Sequence, residues 1–485
     1  MDRILGSRVG HLSSHLGRLP AVWISSLLEL AIVLEATALL LVVLTGGFEL
    51  GWVSAHDPSK PTLLLLLLVP LRLVLGGPLE VAELSRLIRQ RADPWVARLG
   101  EWLRVRPAVG DVLFAVMVSR VTSLAAAFLV NILFPPERRR PFEMPFASQK
   151  FAEIFAAWDS GWYFDIARRG YYFNPDGQSS VAFFPLYPLL MRILAWPFGG
   201  SDRALWLAGI GISYATFVAA LFVLHDLAER ITGSRESARR AVLYIAVFPF
   251  SFFFARVYTE SLFLLVSLLA VSAAWRSHWW IAGACGALAA LTRPNGVLIA
   301  VPLFCLALAG RPGLSTLVKR GMALSGIPLA LVGYSLYVYG LAGDPLAWMA
   351  AQKHWQYRLW QPPWNHLLSL ASQIEQHGPY DVFFVSKYAP YQIVHGTIAF
   401  LVLLITPFVF TRLGLALGAY TLAAVLVPLS SSDMQGIGRY TAVLFPLFIV
   451  LGTLRSDRLH EALLVVWALF LAVFAGLFVT LHPIF

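Results

Sequence analysis

Apolar runs long enough to cross a bilayer recur along most of this 485-residue chain, and they leave few folds open. A spanning helix needs roughly 20 apolar residues. In lipid only helices and closed barrels satisfy every backbone polar group. Runs of the required character lie at 21–47, 62–77, 110–134, 203–225, 241–255, 258–275, 279–292, 295–310, 322–341, 393–410, 413–429, 440–454 and 461–481. They predict an all-α polytopic membrane protein with about thirteen spans. The shorter runs need shielding by neighbours or a water-filled cavity. Charged residues are only 13% of the chain, against about 25% in soluble domains.

The net charge of +10 does not point to nucleic acid, because the arginines cluster at the ends of apolar runs. Topology and anionic lipid headgroups account for that placement. Cys285 and Cys305 both lie in apolar runs and offer neither a disulfide framework nor metal spacing. Residues 1–20 are too polar for a signal peptide, and the first apolar run reads as an anchor. Residues 1–109 read as an N-terminal extension with two spans and a basic amphipathic stretch. Residues 110–485 read as the main transmembrane domain.

Short loops rich in arginine mark the cytoplasmic side. Arg230, Arg235, Arg239 and Arg240 share one such loop; Arg311, Lys319 and Arg320 a second; Arg455 and Arg458 a third; segment 84–106 is also basic. Counting crossings puts all four on one side. The opposite side receives 135–202, 342–392 and 430–439, with Arg138-Arg139-Arg140 as the one dissenting patch. Within the first of these outer loops, 186–198 reads as an amphipathic helix on the membrane surface. The second carries Trp348, Trp355, Trp360 and Trp364, which suits either an interfacial aromatic belt or an acceptor-binding wall.

The first outer loop also holds the most distinctive residues of the chain. Trp158-Asp159, Tyr163-Phe164, Ile166-Ala167 and Gly170-Tyr171 are followed by Phe183-Phe184-Pro185-Leu186-Tyr187-Pro188. This series resembles the first luminal loop of the GPI mannosyltransferase 2 (PIG-V-like) family. Tyr258-Thr259-Glu260-Ser261, Leu291-Thr292-Arg293-Pro294-Asn295-Gly296, Arg439-Tyr440 and Phe445-Pro446 are similar to later family segments and follow in the right order. The resemblance covers about 110–454 and does not need the first 109 residues. It implies a GT-C type bundle that takes a sugar from a polyprenyl-phosphate donor on the non-cytoplasmic face.

Such a reaction sets the residue types required. A polyprenyl phosphate leaves as a stable anion, so no general acid is needed, whereas a glycosidase needs two carboxylates. One base must take the proton of the attacking hydroxyl, and cations must hold the phosphate. Asp159 is the expected base, with Trp158 limiting its solvation; a helix N-cap or a solvated carboxylate is the plain alternative. Arg293, at a proline break, is expected on the phosphate, against the alternative of snorkelling to the interface. Arg439 with Tyr440 is the second phosphate or sugar candidate. Arg256 and Glu260 are expected to pair with each other beside substrate, near Tyr258. Asp165 is assigned to the loop scaffold through Arg168 or Arg169. Glu29 and Glu35, six residues apart in the first run, are expected either to pair with Arg72 or to lie near the interface or protonated. His225, His278 and His354 have no metal-ligand spacing, and no Asp-x-Asp motif occurs in the first loop. No cofactor is inferred, and a divalent metal is left open.

Together with these residues, the resemblance implies an inverting mannosyltransferase with a polyprenyl-phosphate-mannose donor and a lipid-linked, glycan or protein acceptor, acting among membrane lipids. The excess of arginine over lysine suggests a bacterial inner membrane, with the site on its extracytoplasmic face. The rivals are a related enzyme moving another sugar and, in a different class, a lipid or sugar transporter or flippase. A transporter calls for paired half-repeats and midplane charges, whereas this chain gathers its polar aromatic residues in one-sided loops.

Overall fold

The computed structural model describes residues 48–50, 53–55, 107–146, 148–355, 360–385, 389–430 and 436–484. Two compact units emerge: Met1–Arg106 with Phe146–Phe151, and Pro107–Pro145 with Ala152–Phe485. In the first, the described residues form an antiparallel ribbon, β1 (Phe48–Leu50) paired with β2 (Val53–Ala55). Those six residues are a small departure from the all-α expectation. The runs at 21–47 and 62–77, the basic segment 84–106 and the Glu29, Glu35 and Arg72 proposal lie outside the described residues.

The second unit is helical. Its elements are α1 (Pro107–Leu133), α2 (Ser160–Arg169), α3 (Leu186–Ala195), α4 (Asp202–Thr232), α5 (Arg235–Val247), α6 (Glu260–Trp275), α7 (Trp279–Ala290), α8 (Ala300–Leu308), α9 (Leu314–Leu324), α10 (Gly326–Ala342), α11 (Asn365–Tyr380), α12 (Ala389–Leu413), α13 (Leu415–Leu429), α14 (Ile437–Ala442), α15 (Phe445–Gly452) and α16 (Asp457–Val479). Among the described residues, five helical stretches are long and apolar enough to cross a membrane: α1, α4, α9 with α10, Tyr391–Leu413 and α16. α6, α7, α13 and 294–308 are apolar but shorter. The expected spans at 295–310 and 440–454 are interrupted, by a 3₁₀ turn over Pro294–Ile299 and by a break between α14 and α15. Both interruptions lie beside polar residues that have work to do.

The arginine-bearing loops gather at one end of the unit. Arg240 reaches the Leu454 carbonyl and Asp457, Arg412 reaches Thr453, Arg276 pairs with Asp226, and Arg235 pairs with Asp111. Loops at the other end also meet one another. Glu137 N–H donates to the Thr480 carbonyl, and Arg140 to the Val479 carbonyl. Arg140 also bonds Asn131 and pairs with Glu153, while Arg138 lies over the Trp158 ring. Of the three dissenting arginines, Arg140 thus ties this end together, while Arg138 and Arg139 are exposed.

α3 is amphipathic as expected. Tyr187, Met191 and Ala195 are buried, while Leu189, Ile193 and Leu194 are exposed, with Trp196 and Phe198 just beyond. In water such a face would be costly; at a headgroup boundary it is stabilising.

Candidate active site

Asp159 is the residue immediately before α2, and its side chain makes no capping bond to that helix. The helix-cap alternative is thereby excluded in this structure. Trp158 turns the chain with φ 54°, in the left-handed region that a bulky residue rarely occupies. Strain of that kind persists only where surrounding contacts impose it. Here the contact is Tyr258: its hydroxyl accepts from the Asp159 N–H at 3.0 Å and donates to the Ala157 carbonyl at 3.2 Å. The backbone that carries the carboxylate is thus held in place, and the Asp159 side chain is 20% exposed.

Arg439 meets it there. Its Nη1 donates to Asp159 Oδ2 at 2.9 Å, across 280 residues of sequence. Gly438, just before it, packs so closely that a Cβ would lie 2.3 Å from the Phe250 ring, and its N–H donates to His395 Nδ1 at 3.3 Å. A side chain at 438 would push α14 off Phe250 and carry Arg439 with it. Burial works against the Arg439 charge, but Glu260 and Asp159 outweigh it and raise its pKa well above the usual value.

Glu260 opens α6, where the helix dipole favours a negative charge. It is 1% exposed. Arg439 Nε lies 3.3 Å and Arg293 Nη1 3.4 Å from the same oxygen, Glu260 Oε1. Neither contact is a good hydrogen bond: Arg439 Nε, Arg293 Nη1 and Glu260 Oε2 have no hydrogen-bond partner. Arg293 reaches the cluster because Pro294 follows it. A residue before proline is driven from helical to extended backbone, and Arg293 has φ −163° and ψ 156°. Its guanidinium lies over the Tyr440 and Phe263 rings, at 4.9 and 5.4 Å. At 6% exposure it is not snorkelling to an interface.

Asp159, Glu260, Arg293 and Arg439 therefore form one cluster with no net formal charge, edged by Trp158, Tyr258 and Tyr440. Arg256 is not part of it, and the expected Arg256–Glu260 pair does not form. Arg256 is 0% exposed, and none of its guanidinium nitrogens has a hydrogen-bond partner. Burial drives its pKa down to about 10. Arg256 ends the 3₁₀ turn over Ser251–Ala255 and points toward Phe252 and Phe478, whereas Glu260 starts the next helix. Tyr258, also expected on substrate, is fully buried and acts through the Asp159 backbone. Asp165 pairs with Arg169 at 3.4 Å, and Arg168 with Asp202 at 3.0 Å, the scaffold role expected of them. His225 pairs with Asp111 at the arginine-loop end.

Sequence reasoning missed two positioning residues. His395, which holds the Gly438 N–H, lies in an apolar run and carries no signal. Trp162 stacks on Phe183 at 5.4 Å and meets Trp355 edge-on at 5.4 Å, joining the two outer loops. The aromatic content of both loops was a signal for that junction. Beside it, an apolar cavity of about 490 Å³ is lined by Ile166, Tyr171, Pro188, Leu291, Tyr334 and Tyr337. Leu291 stands two residues before Arg293.

Residues 111–319 match the family model described as Mannosyltransferase (PIG-V). GPI alpha-1,6-mannosyltransferase 2 of Rattus norvegicus is 29% identical over 296 residues, covering 53% of this chain and 59% of that protein. GPI mannosyltransferase 2 of Yarrowia lipolytica is 28% identical over 165 residues, covering 34% of this chain and 44% of that protein. The chain thus spans less than two thirds of the length of these relatives. An Archaeoglobus fulgidus oligosaccharyltransferase structure is similar at TM-score 0.42 and 13% identity, over 78% of this chain and 56% of that one. The curated relatives are eukaryotic, so a bacterial inner membrane, expected from arginine content, gains no support. The family that the loop motifs resemble is the one whose model matches, and the match is confined to residues 111–319.

Proposed function

We propose that the protein is an inverting GT-C type mannosyltransferase, using a polyprenyl-phosphate-mannose donor and Asp159 as base. The observation that carries this reading is the pairing of one partly exposed carboxylate with two arginines that share a buried glutamate. Arg293 and Arg439 bind the donor phosphate. The acceptor hydroxyl attacks C1 of the sugar, Asp159 takes the hydroxyl proton, and the C1–O bond breaks with its electron pair going to the phosphate. The leaving group's charge grows during this step, so cations fixed beside it stabilise the transition state more than the ground state.

The apolar cavity offers room for a lipid chain close to the Arg293 break. The names of the curated relatives favour a GPI-type lipid-linked acceptor over a protein or free glycan. Arginine-rich loops at the opposite end support a site on the non-cytoplasmic face.

The test is transfer of radiolabelled mannose from polyprenyl-phosphate-mannose to a lipid extract by purified protein. The expected result is a labelled lipid product formed by wild type and not by Asp159→Asn. Transfer from a glucose or arabinose carrier instead would replace the sugar, and transport without transfer would replace the class.

A further inference from the structure

We infer that Arg439 is a positioning residue linking the two substrates: it withholds Asp159 from the acceptor until the donor phosphate draws it away. This rests on the phosphate and base roles proposed above.

Three observations carry it. First, the Asp159 carboxylate is already engaged: Arg439 Nη1 donates to Oδ2 at 2.9 Å. A carboxylate held by a charged hydrogen bond is committed to that partner in position and orientation. Second, the other side of the same guanidinium is poorly satisfied. Arg439 Nε lies 3.3 Å from Glu260 Oε1 without hydrogen-bond geometry, and Arg293 Nη1 stands 3.4 Å from that same oxygen in the same condition. One glutamate oxygen serves two arginines and bonds neither well. A phosphate presents several acceptor oxygens and pairs with guanidinium groups through two parallel bonds. It would satisfy donors that Glu260 leaves unused. Third, the cluster has no net formal charge, so an incoming phosphate is not repelled overall. Its strongest competitor is the Asp159 carboxylate, already on Arg439.

Donor binding and base release are therefore one event. As Arg439 turns toward the phosphate, the Asp159 carboxylate is freed to meet the acceptor hydroxyl. Glu260 stays fixed at the start of α6 and keeps both arginines within reach. The order of addition follows: donor first, acceptor second. An acceptor arriving alone meets a carboxylate already engaged.

The experiment is a double-mutant cycle on binding, independent of turnover. The affinity of a polyprenyl phosphate is measured in detergent for wild type, Asp159→Asn, Arg439→Gln and the double variant, each checked for folding by thermal unfolding. Asp159→Asn removes the competitor and is expected to tighten binding by roughly tenfold or more, the weight of a charge-assisted hydrogen bond. In the Arg439→Gln background the same substitution is expected to change nothing. A gain that persists in that background would be a general charge effect and would overturn the link. Unchanged or weaker binding in Asp159→Asn alone would overturn it as well. Absence of polyprenyl phosphate binding by folded wild type would remove the phosphate reading, and this inference with it.

Discussion

At the arginine-loop end of the helical unit, Glu236 takes Arg239 through two bonds of 2.6 and 2.8 Å and Arg240 through a third of 2.7 Å. Arg240 then reaches Asp457 at 2.7 Å and the Leu454 carbonyl at 2.8 Å. At the opposite end, Glu260 faces two arginines at 3.3 and 3.4 Å and bonds neither well. The acids of the first cluster are exposed, Glu236 at 51% and Asp457 at 79%, although Arg240 is buried; Glu260 is at 1%. Physical chemistry would place the good bonds where burial makes poor ones costly. The molecule does the reverse. Tight pairs on exposed acids join helix ends. On the function proposed above, the buried, loosely made pairs remain able to accept another anion, which would separate ion pairs that serve the fold from ion pairs that serve a ligand.

Substitutions at the two ends should separate them further, beginning with the largest effect. Asp159→Asn keeps the volume but cannot take a proton. Transfer is expected to fall by roughly 10²–10⁴-fold, the range for loss of a positioned base, while polyprenyl phosphate binding tightens as set out above. Turnover near the wild-type rate would remove Asp159 from the chemistry.

Next comes Glu260→Gln. Removing one partner of a buried ion pair typically costs about 3–5 kcal/mol, and here two arginines lose their shared counterion. Thermal unfolding should show that loss, and polyprenyl phosphate should recover more stability in this variant than in wild type. Equal recovery in both would mean that the arginines do not meet the phosphate.

Arg293→Lys is expected to be milder. Lysine keeps the charge but lacks the planar fork, so donor affinity should fall part of the way toward that of Arg293→Ala. A lysine variant that binds donor as wild type does would make Arg293 a simple point charge.

Glu236→Gln is expected to be smallest, at about 0–1 kcal/mol of stability as for exposed pairs, with transfer unchanged. Its hydrogen bonds from Arg239, and less so Arg240, outweigh burial and hold the Glu236 carboxyl at about 2, below its ordinary 4.5. A depressed carboxylate contributes stability above its ordinary value and loses it as pH falls through the folded one. The stability difference between wild type and Glu236→Gln should therefore shrink as pH drops from 4.5 toward 2, measured by thermal unfolding at fixed ionic strength. A difference that grows with acid would reverse the sign of this pair.

Sequence legibility divides along the same line. Apolar runs gave helix positions because a bilayer demands both length and hydropathy. The Glu236–Arg239–Arg240 pairs were open to reading too, since residues three and four apart share a helix face. The outer cluster was legible only in its members. Asp159, Glu260, Arg293 and Arg439 stood out as polar residues at breaks in apolar runs, but their separation along the chain hid the sharing of Glu260. Arg256 was misplaced for a related reason. It is only four residues from Glu260, yet it ends the 3₁₀ turn while Glu260 starts the next helix, and nothing in the residue types reports that change of direction. Tyr258 was expected on substrate through the family-like segment Tyr258-Thr259-Glu260-Ser261; it is fully buried, and its hydroxyl bonds the backbone on either side of Trp158.

The central claim is that the buried cluster is a phosphate site and the exposed one is not. The most direct measurement is polyprenyl phosphate affinity for wild type, Arg439→Gln and Arg240→Gln, all folded to the same degree. The account expects Arg439→Gln to weaken binding by roughly tenfold or more, as for loss of a charge-assisted hydrogen bond, and Arg240→Gln to leave it unchanged. Equal losses at the two ends, or no loss in Arg439→Gln, would contradict it.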